Sequence, residues 1–295
     1  MTEAIEPPAF SIDRPERQLA PIVYASPHSG NHYPTELRAA STLPLRMLRR
    51  SEDGFVDELF AAAVGQGSPL LRAHYARVFL DLNREPWELD PGMFETPLPG
   101  HVNSSSLRVA GGLGTIARIV AEGHEVYGRK LSFADAERRV QNVYYPYHQA
   151  LTGLVADTRR AFGYAILVDC HSMPSTGAFG NRDRRRRADI VLGDRFGTTC
   201  APELTEYVQG ILADRGLVVL RNNPYAGGFS TYHYGRPGDG VHALQIEINR
   251  GLYMHEERIE KNDGFAAMRQ IMTDLVAALR RLGPEAFERQ PVAAQ

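Results

Sequence analysis

The sequence predicts a single α/β domain in which a mostly parallel central sheet is flanked by helices. Three observations lead there. Short runs of β-branched and aliphatic residues recur at 22–25, 77–80, 165–168, 189–192, 217–220 and 244–248. Most are apolar at every position, the pattern of strands covered on both faces. Between them lie segments with apolar residues at helical spacing, and alternating strands and helices define the α/β class. No linker composition and no fixed-period repeat divides the chain, so residues 20–283 read as one unit.

Taken in order, residues 1–19 are polar and proline-rich and 284–295 run PEAFERQPVAAQ, so both ends are predicted to be irregular. The strand at 22–25 opens into SPHSG. Leu45, Leu48, Phe55, Val56, Leu59 and Phe60 keep helical spacing, and the strand at 77–80 then passes into DLNR. Val140, Tyr144, Tyr147, Leu151, Leu154 and Val155 form a second stripe, ahead of the strand at 165–168 and its DCHS tail. Strands at 189–192 and 217–220 precede the run at 244–248 around QIEIN. A closing helix spans 263–282, with Phe265, Met268, Ile271, Met272 and Leu275 on one side and Gly283-Pro284 as its stop. Glycine-rich loops at 97–114 and 222–240 are long for a compact domain and are expected to wall a site.

Composition narrows the function. With 295 residues, 43% hydrophobic and 23% charged, the chain can bury a core without disulfides. Lys plus Arg number 33 against 35 for Asp plus Glu, a net charge of -2, which gives no basic field for nucleic acid or anionic membrane. Two cysteines, Cys170 and Cys200, point to a reducing compartment, the cytoplasm. The opening MTEAIEPPAF has neither the basic start nor the apolar run of a signal peptide, and no apolar run approaches the ~20 residues that span a bilayer. One local exception is the run from Asn181 to Arg187. It reads first as a solvated loop without interleaved aromatics, and an anion- or nucleic-acid-binding protein using 182–187 is the rival of a different class.

The chemistry is marked by where polar groups fall relative to the strands, because ligands of open α/β sheets bind beyond the carboxyl ends. His28 follows the first strand, Asp81, Asn83 and Arg84 follow the run at 77–80, Asp169 and His171 follow the run at 165–168, and Glu247 lies inside the last. Two imidazoles with one carboxylate make a three-ligand zinc set that leaves a position for water. Asp53 in SEDGFVDELF is the acid chosen, with Glu52 and Asp57 as competitors. A metal would acidify water, and a non-ligand carboxylate would shuttle its proton, a role that suits Glu247. Asp169 could orient His171 from behind. Asn83 and Arg84 could cap and pair, or Arg84 could grip a substrate carboxylate with its planar fork. Cys170 neighbours His171 on an extended segment, where successive side chains diverge, so a Cys-His pair is not expected.

SPHSGNHYP, SEDGFVDELF, DLNR, VDCHSMPS, NNPYAGGFSTYHYGRP and HALQIEINRGLYM, in this order from about residue 20 to 280, resemble the N-formylglutamate amidohydrolase family. The resemblance implies a zinc-carboxypeptidase-like fold with a mixed sheet. It also implies hydrolysis of N-formyl-L-glutamate to glutamate and formate, a late step of histidine breakdown. His28 and His171 match the family's metal motifs, and zinc or another divalent ion is the implied cofactor. The carboxypeptidase pattern places an acid three residues after its first histidine, where this chain has Asn31, so the acid comes from elsewhere. Asn83 and Arg84 match the substrate-gripping DLNR of aspartoacylase-like relatives, and Glu247 matches the superfamily's catalytic carboxylate. A substrate with two carboxylates calls for a second cation, Arg118 or Arg236, and Tyr225 with the glycines after it could wrap the substrate. The partner implied is thus a small N-acyl amino acid. A deacylase of another N-acyl amino acid or a formyl dipeptide is the alternative within the fold.

Overall fold

The computed structural model describes residues 6–121, 123–177, 179–180 and 183–283. Strands β1 (Phe10–Asp13), β2 (Ile22–Ser26), β3 (Leu70–Ala73), β4 (Ala165–Met173), β5 (Ile190–Gly193), β6 (Val219–Arg221) and β7 (Val241–Asn249) form one sheet in the order β1-β3-β2-β4-β7-β5-β6. Pairings β2–β3, β2–β4, β4–β7 and β5–β6 are parallel, whereas β1–β3 and β5–β7 are antiparallel. The sheet is therefore mixed and mostly parallel.

Alternation along the central strands sorts their side chains into two cores. Val23, Ala25, Ala165, Leu167, Val241 and Ala243 face one side, packed under Tyr147, Leu151, Leu154 and Val155 of helix α1 (Tyr145–Phe162). Ile22, Tyr24, Ile166, Val168, Leu244 and Ile246 face the other, under helices α2 (Pro202–Asp214) and α3 (Phe265–Leu279). Both faces are covered, which is why β4 and β7 are buried at all nine positions each. Helix α1 ends where Gly163, with φ of 84°, takes the left-handed C-terminal position.

Four sequence expectations are corrected. Residues 77–79 form a turn, with Phe79 N–H donating to the Ala76 carbonyl at 2.8 Å, and the strand beside β2 is the upstream Leu70–Ala73. Val78, Phe79 and Leu80 are buried all the same, and a short buried apolar run looks alike in a strand or a turn. The stripe from Leu45 to Phe60 is broken by the turn at 51–55, where Phe55 takes φ of 65°, leaving one-turn helices at Leu45–Arg49 and Val56–Leu59. The N-terminal segment is not wholly irregular, because Phe10–Asp13 adds an edge strand to β3. Within the basic run, 181 and 182 lie outside the described residues, and Asp183–Arg187 pairs with Phe179–Gly180 as a small antiparallel ribbon rather than a loop. The C-terminal residues 284–295 also lie outside the described residues. No helix among the described residues is long and apolar enough to cross a membrane.

Candidate active site

The site follows from strand parity. On β4 the apolar residues Ala165 and Leu167 are continued on the same face by Asp169 and His171, and on β7 Val241 and Ala243 are continued by Gln245 and Glu247. The two strands are parallel neighbours with Asp169 opposite Gln245 and His171 opposite Glu247. One face thus changes from apolar to polar at adjacent carboxyl ends, the position of the ligand crevice in this architecture.

His28 enters from the bend after β2, and Asp53 is held beside it by its own backbone, whose N–H donates to the His28 carbonyl at 3.0 Å. The tight turn that breaks the predicted helix is what delivers this carboxylate. One ligand atom from each of His28, Asp53 and His171 lies within 4.8 Å of the others, and all three residues are buried. Both Nδ1 atoms face Asp53 Oδ2, at 3.4 Å from His28 and 3.0 Å from His171. Behind His28, Nε2 meets Asp81 Oδ1 at 2.7 Å, and behind His171, Nε2 lies 2.9 Å from Asp169 Oδ1 and 2.9 Å from Asn83 Nδ2. These contacts turn Nδ1 of each ring toward Asp53 and leave it as the ligand atom. His28 Nδ1 is buried without a hydrogen-bond partner. A buried lone pair aimed at a carboxylate oxygen is costly, and a cation between them removes the conflict. The residues present fit a divalent metal.

Asp53 is anchored from the far side, its Oδ1 accepting from Arg250 Nη2 at 2.8 Å. Burial would raise its carboxyl pKa, but hydrogen bonds from His171 and His28 and the charges of His28 and Arg250 hold it well below the usual range. Asp81 behaves alike: Arg77, His28 and Arg84 outweigh its burial. Burial also opposes charge on His171, yet Asp169 and Asp53 push its pKa well up, the mark of a site rich in carboxylate. The competing acids lie elsewhere. Glu52 accepts from Arg49 Nε at 2.9 Å and Tyr33 Oη at 2.7 Å, and Asp57 pairs with Arg72.

Glu247 is nearly inaccessible, at 7% exposure, and burial pushes its carboxyl up to about 7. Gln245 Nε2 donates to its Oε1 at 2.8 Å, and Gln245 Oε1 accepts the Gly228 N–H at 2.8 Å. A cleft of about 930 Å³ opens here, lined by His28, His171, Glu247, Arg84, Tyr225 and Gly228 among others. Tyr225 therefore stands on its wall. Asn83 touches the same cleft but is engaged at both ends of its amide: Nδ2 donates to Asp169 Oδ2 at 3.1 Å and Oδ1 accepts from the Ser230 N–H at 2.7 Å. The structure makes it a brace for the His171 side rather than a free substrate donor. Gly228 is required there, since a Cβ would fall 2.4 Å from Asn83 Nδ2.

The two candidates for a second substrate cation are each engaged in other contacts. Arg118 is spent on Asp90 at 2.8 Å and Glu125 at 3.4 Å, away from the cleft wall. Arg236 donates to the carbonyls of Tyr232 and Gly235 at 2.7 and 2.8 Å and likewise stands off the wall. Three residues that matter were given no role by sequence reading: Asp81, Arg77 and Gln245. The available signal was period two, since Asp81 and Gln245 each lie two residues before a chosen residue.

Comparison with known proteins gives the family. Residues 20–254 match the family model described as N-formylglutamate amidohydrolase. An N-formylglutamate deformylase of Pseudomonas putida is 27% identical over 274 residues, covering 91% of this chain and 96% of that protein. The one from Pseudomonas aeruginosa is 28% identical over 277 residues, covering 92% and 97%. The crystal structure of N-formylglutamate amidohydrolase from Ralstonia eutropha JMP134 superposes with a TM-score of 0.86 at 37% identity, covering 92% of this chain and 97% of that one.

Proposed function

The chain belongs to the N-formylglutamate amidohydrolase family, and on that premise we propose that it hydrolyses N-formyl-L-glutamate to L-glutamate and formate. The reading includes a divalent metal, zinc by its ligand set, held by Nδ1 of His28, Nδ1 of His171 and Oδ2 of Asp53. The observation that carries it is the convergence of those three buried atoms, within 4.8 Å, beside a carboxylate one strand away. When bound, the ion would supply a Lewis acid for the carbonyl and would acidify a water.

The protein's own groups do the rest. Glu247, which accepts from Gln245 and is raised to about 7 by burial, takes a proton from the attacking water and returns it to the amine nitrogen as the C–N bond breaks. Water oxygen ends on formate and the returned proton on glutamate. Asp81, Asp169 and Asn83 hold the imidazoles, and Arg77, which donates to Asp81 at 2.7 Å on the cleft wall, is the cation at hand for charge on the carbonyl oxygen. Arg84, next to Asn83, takes the substrate's α-carboxylate. A reducing cytoplasmic setting suits two buried thiols, Cys170 and Cys200, and a place in histidine breakdown suits the substrate.

The cleft of about 930 Å³ is roomy for so small a substrate, which sustains a second reading as a deacylase of larger N-acyl amino acids. Formate or acyl release across N-formyl-L-glutamate, N-formyl-L-glutamine, N-formyl-L-methionine and N-acetyl-L-glutamate separates them. We expect the highest kcat/KM on N-formyl-L-glutamate. A higher value on N-acetyl-L-glutamate would transfer the assignment to the second reading.

A further inference from the structure

We propose that Arg108, which no sequence motif singled out, reads the side-chain carboxylate of the substrate and so sets the preference for glutamate. The assignment rests on the substrate reading above. That substrate carries two carboxylates, and the cleft must answer both.

Three cleft arginines are committed: Arg77 to Asp81, Arg250 to Asp53 and Ser172, and Arg258 to Glu260. Arg108, on the one-turn helix Leu107–Ala110, differs. It lines the cleft, and its ion-pair contact is Glu88, at 3.8 Å from Nη1 to Oε2, beyond hydrogen-bond distance. Glu88 Oε2 is itself buried without a hydrogen-bond partner. The pair therefore holds Arg108 by charge while its N–H donors stay open to an incoming carboxylate.

Placement completes the argument. The Leu113 N–H donates to the Arg108 carbonyl at 2.8 Å, and the Leu113 carbonyl accepts from Arg84 Nε at 3.0 Å. One residue thus straps both arginines to the same wall, and they sense each other: burial and then Arg77 and Arg108 pull the Arg84 pKa down, against Asp81 and Glu88. Glu88 lies near both but is hydrogen-bonded to neither guanidinium, so the pair forms a receptor for an incoming carboxylate. Arg84 lies beside Asp81, which backs His28, so it meets the carboxylate nearest the scissile amide. Arg108, further along the wall, meets the γ-carboxylate.

The test compares purified wild-type protein, Arg108→Met and Arg118→Met, each supplied with zinc, on N-formyl-L-glutamate and on N-formyl-L-norvaline, which lacks the γ-carboxylate. We expect Arg108→Met to lose about 100-fold in kcat/KM on the glutamate substrate, mainly through KM, and to change less than about threefold on the norvaline substrate. Arg118→Met should match wild type on both. Equal losses on both substrates, or none on the glutamate substrate, overturn the role of Arg108 alone. A wild-type protein that releases no formate from N-formyl-L-glutamate overturns the substrate reading, and this assignment with it.

Discussion

Asp53 and Glu247 are both buried carboxylates near His171, and the account gives them separable duties. Asp53→Asn should lower metal content sharply, whereas Glu247→Gln should retain metal and lose at least about 100-fold in turnover; elemental analysis beside formate release reads both. Asp81→Asn removes the carboxylate behind His28 and should weaken metal affinity by roughly 10- to 100-fold, visible in a competition titration with a chelator. Because burial holds the Glu247 carboxyl up at about 7, and a base must be ionised to act, kcat/KM should fall as pH drops through an acid limb. A cation nearby can only lower that value, so the midpoint should lie at or below about pH 7. His28, His171 and Glu247 were legible in the sequence because each is a polar residue where an apolar strand ends or is interrupted. Arg108 was not, because an arginine in a glycine-rich loop looks the same whether it faces solvent or a cleft. Arg118 and Arg236 were chosen for their loops alone, and their neighbours Asp90, Glu125 and Tyr232 are brought together only by folding.

At the scale of elements, the loop at 222–228 and helix α1 carry the site from opposite sides. Gly228→Ala would place a Cβ against the amide of Asn83, forcing the brace off Asp169; kcat/KM should drop about 10- to 100-fold with metal content kept. On α1, buried His148 donates from Nε2 to the Leu82 carbonyl and meets Tyr234 Oη at Nδ1, both at 2.9 Å, and burial lowers its pKa from 6.5 to about 4. The folded chain therefore binds fewer protons than the unfolded one between those values, so stability is complete above about pH 6.5 and is lost as pH falls toward 4. The loss is about 3 kcal/mol at most. Urea midpoints across that range should fall less steeply in His148→Gln than in wild type. The same elements show where pattern reading stops. The short apolar runs at 165–168 and 244–248 announced strands that extend over Ala165–Met173 and Val241–Asn249, but Val78, Phe79 and Leu80 are buried by a turn, and Phe10–Asp13 earns its place only by pairing with β3. Pairing with a distant strand leaves no mark on local composition.

Across the whole molecule, a metal that binds only the folded chain must also stabilise it. At free zinc about 100 times the dissociation constant the gain is about 2.7 kcal/mol. For a domain of this size, that amounts to a rise of about 4–5 °C in Tm, absent in Asp53→Asn. His28 and Asp53 are separated by the short helices Thr35–Ala40 and Leu45–Arg49, and Asp53 and His171 by β3, the cleft loops and α1, so the site exists only when the sheet has formed. The α/β class and the central sheet followed from buried runs and their alternation with helices, and its mixed character from the family resemblance, while strand order and the two antiparallel pairings did not, because register is set by contacts between distant segments. The most direct test of the central claim is formate release from N-formyl-L-glutamate by chelator-stripped protein during titration with zinc. The account predicts negligible release before zinc and a rate that climbs to a plateau at about one ion per chain. Full release by protein shown to be metal-free, unchanged by added zinc, would contradict it.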